Sequence, residues 1–317
     1  MIRAVPRIAD QEEPPRPHPA LTLLAAVWAM IALLTMLTFW QEPYYFTLMS
    51  PFRLQLVISL LLAALPLAVL YPNPRRWVFL ALPLAVGMTF LRYLLPAATL
   101  PEEAGRARLA VANVYYGNHD LSLFRSWIEA EKPEILAVME VGEAHRPQLE
   151  ALPFAHKTIL PRNGAFGVAL LSQRQPSKVE VLDEDSPFPS LLAHYPEFRV
   201  LVTHPIPPVS RQARQMGDEQ MRRLVSRLKV EGPPLVVMGD FNAVGWDLRL
   251  LPLREAGMKE ARAGHGYLPT WPTHQPVLGI PIDHIYLPAN WASLDCRRGP
   301  QVGSDHFPLI CDVAWPR

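Results

Sequence analysis

The chain of 317 residues has only two cysteines, Cys296 and Cys311, and no Cys-x-x-Cys pair or Cys/His cluster. That excludes the usual structural zinc sites, which need four such ligands at close spacing. Two cysteines leave two readings open: a pair of buried thiols, or one disulfide, which requires an oxidising compartment. Net charge is scarce too, at +1. Of the 30 basic and 29 acidic residues, seven and four fall in the first hundred positions, so the remainder sits near −2. Tight non-specific nucleic-acid binding rests on clustered Lys and Arg and on counterion release. No long basic stripe is present. Arg211, Arg214, Arg222, Arg223 and Arg227 gather on one predicted helix, where a solvated face is the simpler reading.

What is plentiful is apolar sequence, and it is concentrated at the front. Residues 21–40 carry no charge. At about 1.5 Å per residue such a helix covers roughly the 30 Å hydrocarbon core of a bilayer. Residues 54–70 hold only Gln55 as a strongly polar side chain, and 77–95 have Arg92 near the end, where it can snorkel. Trp40, Tyr44, Tyr45, Tyr71, Trp77 and Tyr93 flank the runs as interfacial aromatics do. Pro66, Pro83 and Gly87 lie inside them, which membrane helices tolerate. The first run is long for a signal peptide, and no small-x-small cleavage site follows it.

These features predict a multi-pass membrane domain over 21–95, in the inner or plasma membrane, after a disordered cytoplasmic tail over 1–20. Arg3, Arg7 and Arg16 in the tail, and Arg75 and Arg76 in the second loop, mark the cytoplasmic side. Arg53 stands alone in the first loop. Three crossings then place everything after Leu95 outside the cytoplasm, with Arg106 and Arg108 counting against that orientation.

From about Arg106 the pattern changes to short strands alternating with helices. Strands are expected at 109–114, 135–139, 166–171, 179–182, 199–203, 234–238, 282–287 and 307–313, with helices at 121–131 and 212–229. This reads as one α/β domain over 106–317 with two facing sheets covered by helices. Polar residues collect where these strands end: Asn113, Glu140, His204, Asp240, Asn242, Asp283, Asp305 and His306. Each alone has an ordinary reading as a solvated acid, a packed histidine, a turn or a cap. Together at one rim they suit metal-assisted attack of water on a phosphate.

Asn113, Glu140, Thr203-His204-Pro205, Gly239-Asp240-Phe241-Asn242, Ile282-Asp283-His284 and Gly303-Ser304-Asp305-His306, in this order, resemble the endonuclease/exonuclease/phosphatase superfamily. The resemblance covers about 106–315 and implies a four-layered α/β sandwich of two mixed sheets flanked by helices, here preceded by three transmembrane helices. It departs at Met139, where the family often has Gln. The membrane runs, His204-Pro205 and Thr270-Trp271-Pro272 look like a membrane-anchored bacterial branch.

The resemblance also implies roles. Glu140 would bind Mg²⁺ or Mn²⁺, with Asn113 and Asp305 completing the site. His306 would take a proton from water, with Asp283 holding the imidazole. Asp240 would orient the nucleophile, Asn242 would donate to a phosphoryl oxygen, and His204 would assist the leaving oxygen. Arg162, Asn163, Phe166, Trp271 and His284 are candidates for the mouth, with His284 alternatively supporting the site from behind without touching substrate. The expected activity is a metal-dependent hydrolase of a lipid-linked phosphate, diphosphate or phosphodiester. The alternative is a tethered extracytoplasmic nuclease, and a non-catalytic scaffold is a third reading. The partners implied are the bilayer and a phosphorylated lipid or nucleic acid. No obligate protein partner is evident.

Overall fold

The computed structural model describes residues 16–41, 44–96, 104–227 and 232–316. The expected disordered tail lies outside them up to position 15, and Pro19 already opens a helix. The N-cap His18 accepts from the Ala20 amide there, and Pro19 needs no helical partner for its nitrogen.

The chain divides into two compact units. One runs to Phe39 and resumes at Arg53–Thr89; the other joins Trp40–Phe52 to Phe90 and all that follows. Among the described residues, three helices are long and apolar enough to cross a membrane, at Pro19–Leu37, Tyr44–Leu70 and Pro74–Leu94. In the first unit, Arg53–Leu70 is the central helix: Leu60, Ala64 and Leu67 are fully buried, while Leu62 and Leu65 on its other side are exposed. Apolar side chains on the outer face of such a helix suit lipid. Trp28 meets Phe79 edge-on at 5.2 Å. Arg53 is not the free loop cation that the sequence suggested. It is buried, donates to the hydroxyl and carbonyl of Thr38, and lies over the Phe39 ring. A helix end leaves carbonyls without partners, and this guanidinium supplies one.

The described residues of the second unit hold twelve strands: β1 (Gly105–Asn113), β2 (Ile135–Met139), β3 (His156–Leu160), β4 (Val168–Ser172), β5 (Lys178–Leu182), β6 (Ser190–His194), β7 (Arg199–Val202), β8 (Leu235–Asp240), β9 (Lys259–Glu260), β10 (Asp283–Leu287), β11 (Ala292–Arg298) and β12 (Leu309–Trp315). They form two mixed sheets, ordered β11-β12-β1-β2-β4-β3 and β5-β6-β7-β8-β10-β9. Central strands such as β2 and β8 are buried along their whole length, which is why they read as unbroken apolar runs. Leu109, Val111 and Ala137 of one sheet pack with Val200, Val236 and Ile285 of the other in a shared inner core.

Helices cover the outer faces. Phe124, Trp127 and Ile128, spaced three and four apart on Ser122–Glu131, pack on Leu136, Val138 and Leu171. Met221 and Leu224 of Arg211–Ser226 pack on Leu192, Leu201 and Val237. The result is helix, sheet, sheet, helix: the four-layered sandwich. The Arg211–Ser226 helix ends before the expected 229, and residues 228–231 lie outside those described.

Sequence reading missed β3, β6, β9 and β11. Strands β3 and β9 are sheet edges, where one flank needs no apolar partner. β11 is irregular, with a register shift between Ser293 and Asp295 that breaks its alternation. It also carries Cys296, which is opposite Cys311 on β12 and joined to it by a disulfide.

Gly239 sits one residue before Asp240 at φ 156°, and a Cβ there would run into the Thr203 carbonyl. The glycine lets β8 turn its last carboxylate toward the rim. Gly239→Ala is therefore expected to lower stability by about 2 kcal/mol or more. A melting temperature within a degree of wild type would refute that.

Candidate active site

The strand ends bring seven of the eight predicted residues into one hydrogen-bonded cluster. β8 and β10 pair antiparallel with Asp240 opposite Asp283. Both carboxylates are buried, at 1% and 0% exposure, and two buried anions side by side need a cation. His306 supplies it. Its Nδ1 lies 2.9 Å from Asp283 Oδ2 and its Nε2 3.7 Å from Asp240 Oδ2. Burial works against the imidazolium, but the charges of Asp283 and Asp240 and the hydrogen bond to Asp283 override it, pushing His306 up to about 10. Burial likewise opposes the Asp240 carboxylate, yet His306 and His204 hold it well below the usual range.

The loops that carry these groups are braced. The Ser304 hydroxyl accepts from the His306 amide, and the Thr270 hydroxyl accepts from the amides of Ile282 and Asp283. Arg262, fully buried, donates to the Asp283 carbonyl and pairs with Glu260. Glu260 is itself held well below the carboxylate range, burial being outweighed by Arg262 and His284. Thr270, Arg262 and Glu260 were missed; only Thr270 had a sequence signal, as the residue before Trp271-Pro272. His284 belongs to this network and not to the mouth. Its ring nitrogens face Glu260 and the Ala243 carbonyl, because alternation along β10 sends it to the face opposite Asp283.

Asn113, at the end of β1, ties the cluster together. Its amide nitrogen donates to Glu140 at 2.8 Å and to Asp240 at 3.1 Å, while its oxygen accepts from the Tyr115 amide. Glu140 has positive φ, 61°, and its second oxygen accepts from the Tyr116 amide. That backbone conformation is unfavourable for a side chain and is held by surrounding contacts, as is common at functional sites.

On the other flank His204 Nε2 lies 3.1 Å from the Asn242 amide nitrogen and 3.4 Å from Asp240. Burial would lower the His204 value, but the hydrogen bond and charge of Asp240 raise it. Asn242 also donates to the Pro205 carbonyl. Asp305 stands apart from the cluster's hydrogen bonds. It accepts from the Trp271 indole at 3.0 Å, and its other oxygen is buried without a partner among the described residues. Phe166 stacks near His204, with ring centroids 5.5 Å apart. Arg162 is spent on the carbonyls of Pro161 and Glu184. Glu140, Asn242, Asp305, His306 and Trp271 all line one cleft of about 380 Å³.

A model of the endonuclease/exonuclease/phosphatase family matches residues 110–306, more than half of the chain and every residue of the cluster. The chain belongs to that family. Its members hydrolyse phosphoester bonds and typically depend on a divalent metal. Solved structures share the fold. An endonuclease/exonuclease/phosphatase from Beutenbergia cavernae is 18% identical, with TM-score 0.53 over 66% of this chain and 72% of that one. A 3'-5' exonuclease from Neisseria meningitidis is 18% identical, with TM-score 0.54 over 66% and 100%. D. rerio TDP2, complexed with a single-strand DNA product, is 14% identical, with TM-score 0.55 over 66% and 99%. No curated protein matches this chain.

The residues present fit a hard cation. Glu140 and Asp305 offer the carboxylate oxygens such an ion prefers, one Asp305 oxygen being buried with no partner among the described residues, while Asn113 turns its nitrogen to Glu140 and its oxygen to the Tyr115 amide. Asp240, Asp283 and His306 also lie close enough to form an acid–histidine group, with ligand atoms within 4.8 Å. There, however, Asp283 and His306 are already engaged with each other.

In metal-free protein the raised His306 value has a sign. Its stabilising contribution is complete below about pH 6.5, the ordinary histidine value, and is lost as pH climbs toward about 10. The full-length protein in chelator should melt progressively lower from pH 7 to pH 10. Asp283→Asn should flatten that slope. Equal slopes would show that His306 does not hold its proton through Asp283.

Proposed function

We propose that the chain is a membrane-anchored, divalent-cation-dependent hydrolase of a lipid-linked phosphate, diphosphate or phosphodiester. The observation that carries this reading is the coupling, in one polypeptide, of the Asn113–Glu140–Asp240–His306 cluster to three helices apolar enough to cross a membrane. An anchor confines the site near headgroups and raises their effective concentration.

Each side chain has a task in such a hydrolysis. As its proton is lost with pH climbing toward about 10, His306 becomes able to accept the proton of the attacking water at Nε2, while Asp283 fixes the tautomer through Nδ1 and steadies the imidazolium that results. Asp240, buried and ionised, orients the water. The Asn242 amide is a donor for a phosphoryl oxygen. His204, whose raised value favours retention of its proton, donates to the leaving oxygen. A divalent cation held by Glu140, Asn113 and Asp305 would neutralise phosphoryl charge.

The nuclease alternative draws on the two relatives whose names concern an exonuclease and a DNA product. Local charge argues against it. On Arg211–Ser226, Arg214 pairs with Asp218, Arg222 with Glu219 and Arg223 with Asp183. Guanidiniums laced with carboxylates offer a phosphate backbone little net charge. The Cys296–Cys311 disulfide suits an oxidising compartment and supports a catalytic domain outside the cytoplasm.

The test compares full-length protein in detergent with its Asp240→Ala and His306→Ala variants, given Mg²⁺, on polyprenyl diphosphate and on plasmid DNA. Phosphate released from the lipid, intact plasmid and a loss of about 10²–10⁴ in both variants is the expected result. Nicked plasmid beside untouched lipid would transfer the chain to the nuclease reading. A loss below about tenfold in folded variants would remove the proposed roles.

A further inference from the structure

The cleft that holds His306 and Glu140 continues onto an apolar wall for which the hydrolytic chemistry has no use. Leu48 and Phe52 form part of it, with Pro208 and Val209 from the loop after His204 and with Ile280 beyond Trp271. Val209 is 75% exposed and Leu48 40%, so two large apolar side chains border the opening instead of filling the core. Residues 44–52 are not a passing linker. Gln41 accepts from the Leu248 amide and donates to the Ser50 hydroxyl, and the Trp246 indole donates to the Ser50 carbonyl. Phe52 packs against Val244, Ile280 and Ile282. The segment is therefore fastened to the catalytic unit at both of its described ends.

Chain connectivity says what such a wall is for. Phe52 is followed directly by the apolar helix Arg53–Leu70, and Gln41 comes four residues after the end of Pro19–Leu37. Leu48 and Phe52, on the surface that begins at the catalytic carboxylates, thus belong to the first residues of Tyr44–Leu70, a helical stretch apolar enough to cross a membrane. A free nucleotide or sugar phosphate would leave it wetted. We infer that this wall is the subsite for the apolar chain of a lipid phosphate ester, whose phosphate lies at His306 and Glu140 and whose first carbons run along Leu48, Phe52 and Val209. The inference rests on the lipid-phosphate reading above and adds to it a place and a set of residues. A cleft of about 380 Å³ is at the small end for ligand pockets. It holds a phosphate and a few carbons.

The inference predicts a chain-length dependence. Burying a methylene contributes roughly a fourfold gain, so kcat/KM should climb over the first few carbons and then level off. Full-length protein would be assayed with Mg²⁺ on 4-nitrophenyl esters of methyl, butyl and octyl phosphate, below their aggregation concentrations, with plasmid DNA in parallel. The octyl-to-methyl ratio of kcat/KM should exceed tenfold in wild type. It should fall at least tenfold in both Val209→Arg and Leu48→Arg, whose exposed positions accept a charged side chain without disturbing the fold. A wild-type ratio near one, or a ratio that survives both substitutions, overturns the subsite while leaving the hydrolase assignment in place. Cleavage of plasmid with no ester hydrolysed removes the lipid reading and the subsite together.

Discussion

Two carboxylates, Asp240 and Asp283, face each other in register across β8 and β10 with almost no access to water. The fold at this rim follows from the need to neutralise them. His306 comes in from the turn before β12 and lies within reach of both. Asn113 comes from β1 in the opposite sheet and gives its amide to Asp240 and Glu140 together. A buried polar group without partners is costly, and a buried unpaired charge more so. The two sheets therefore meet at this rim in one arrangement only, with the loops carrying Glu140, Asn242 and Ser304 drawn in around it. The arrangement that settles the electrostatics also sets a histidine, its acid and an oriented carboxylate beside one cleft.

The same requirement explains what was readable in the sequence. Asp240, Asp283 and His306 sit in short strings after apolar runs, so their type, order and position were visible together. The central strands were visible for the same reason, since a strand buried on both faces is an unbroken apolar run. The edge strands β3 and β9 were not, because an edge needs no such run. Of the two readings of His284, the supporting one holds, because neighbouring residues on a strand point to opposite faces, which only the register reveals. Arg262 and Glu260 gave no signal at all. Their importance lies in burial and in a partner more than twenty residues away.

The front of the chain shows a similar split between what a sequence states and what it conceals. Three apolar runs are plain to read, and three helices of suitable length and hydropathy are present. The loop between the first two was read as a connector. Thr47, Leu48, Pro51 and Phe52 instead line the cleft of the catalytic unit. Aromatic and apolar residues near a membrane boundary are compatible with either role, and only the partners of Gln41, Ser50 and Phe52 separate them.

The central claim is that His306, held by Asp283, activates water for direct attack at phosphorus, with no covalent enzyme intermediate. The most direct measurement is the stereochemical course at phosphorus. A 4-nitrophenyl alkyl phosphorothioate of one configuration would be hydrolysed by the full-length enzyme in ¹⁸O-labelled water. Inversion in the labelled product is the predicted result, because a single in-line displacement inverts the centre. Retention would mean two displacements through a phosphorylated side chain and would contradict the account.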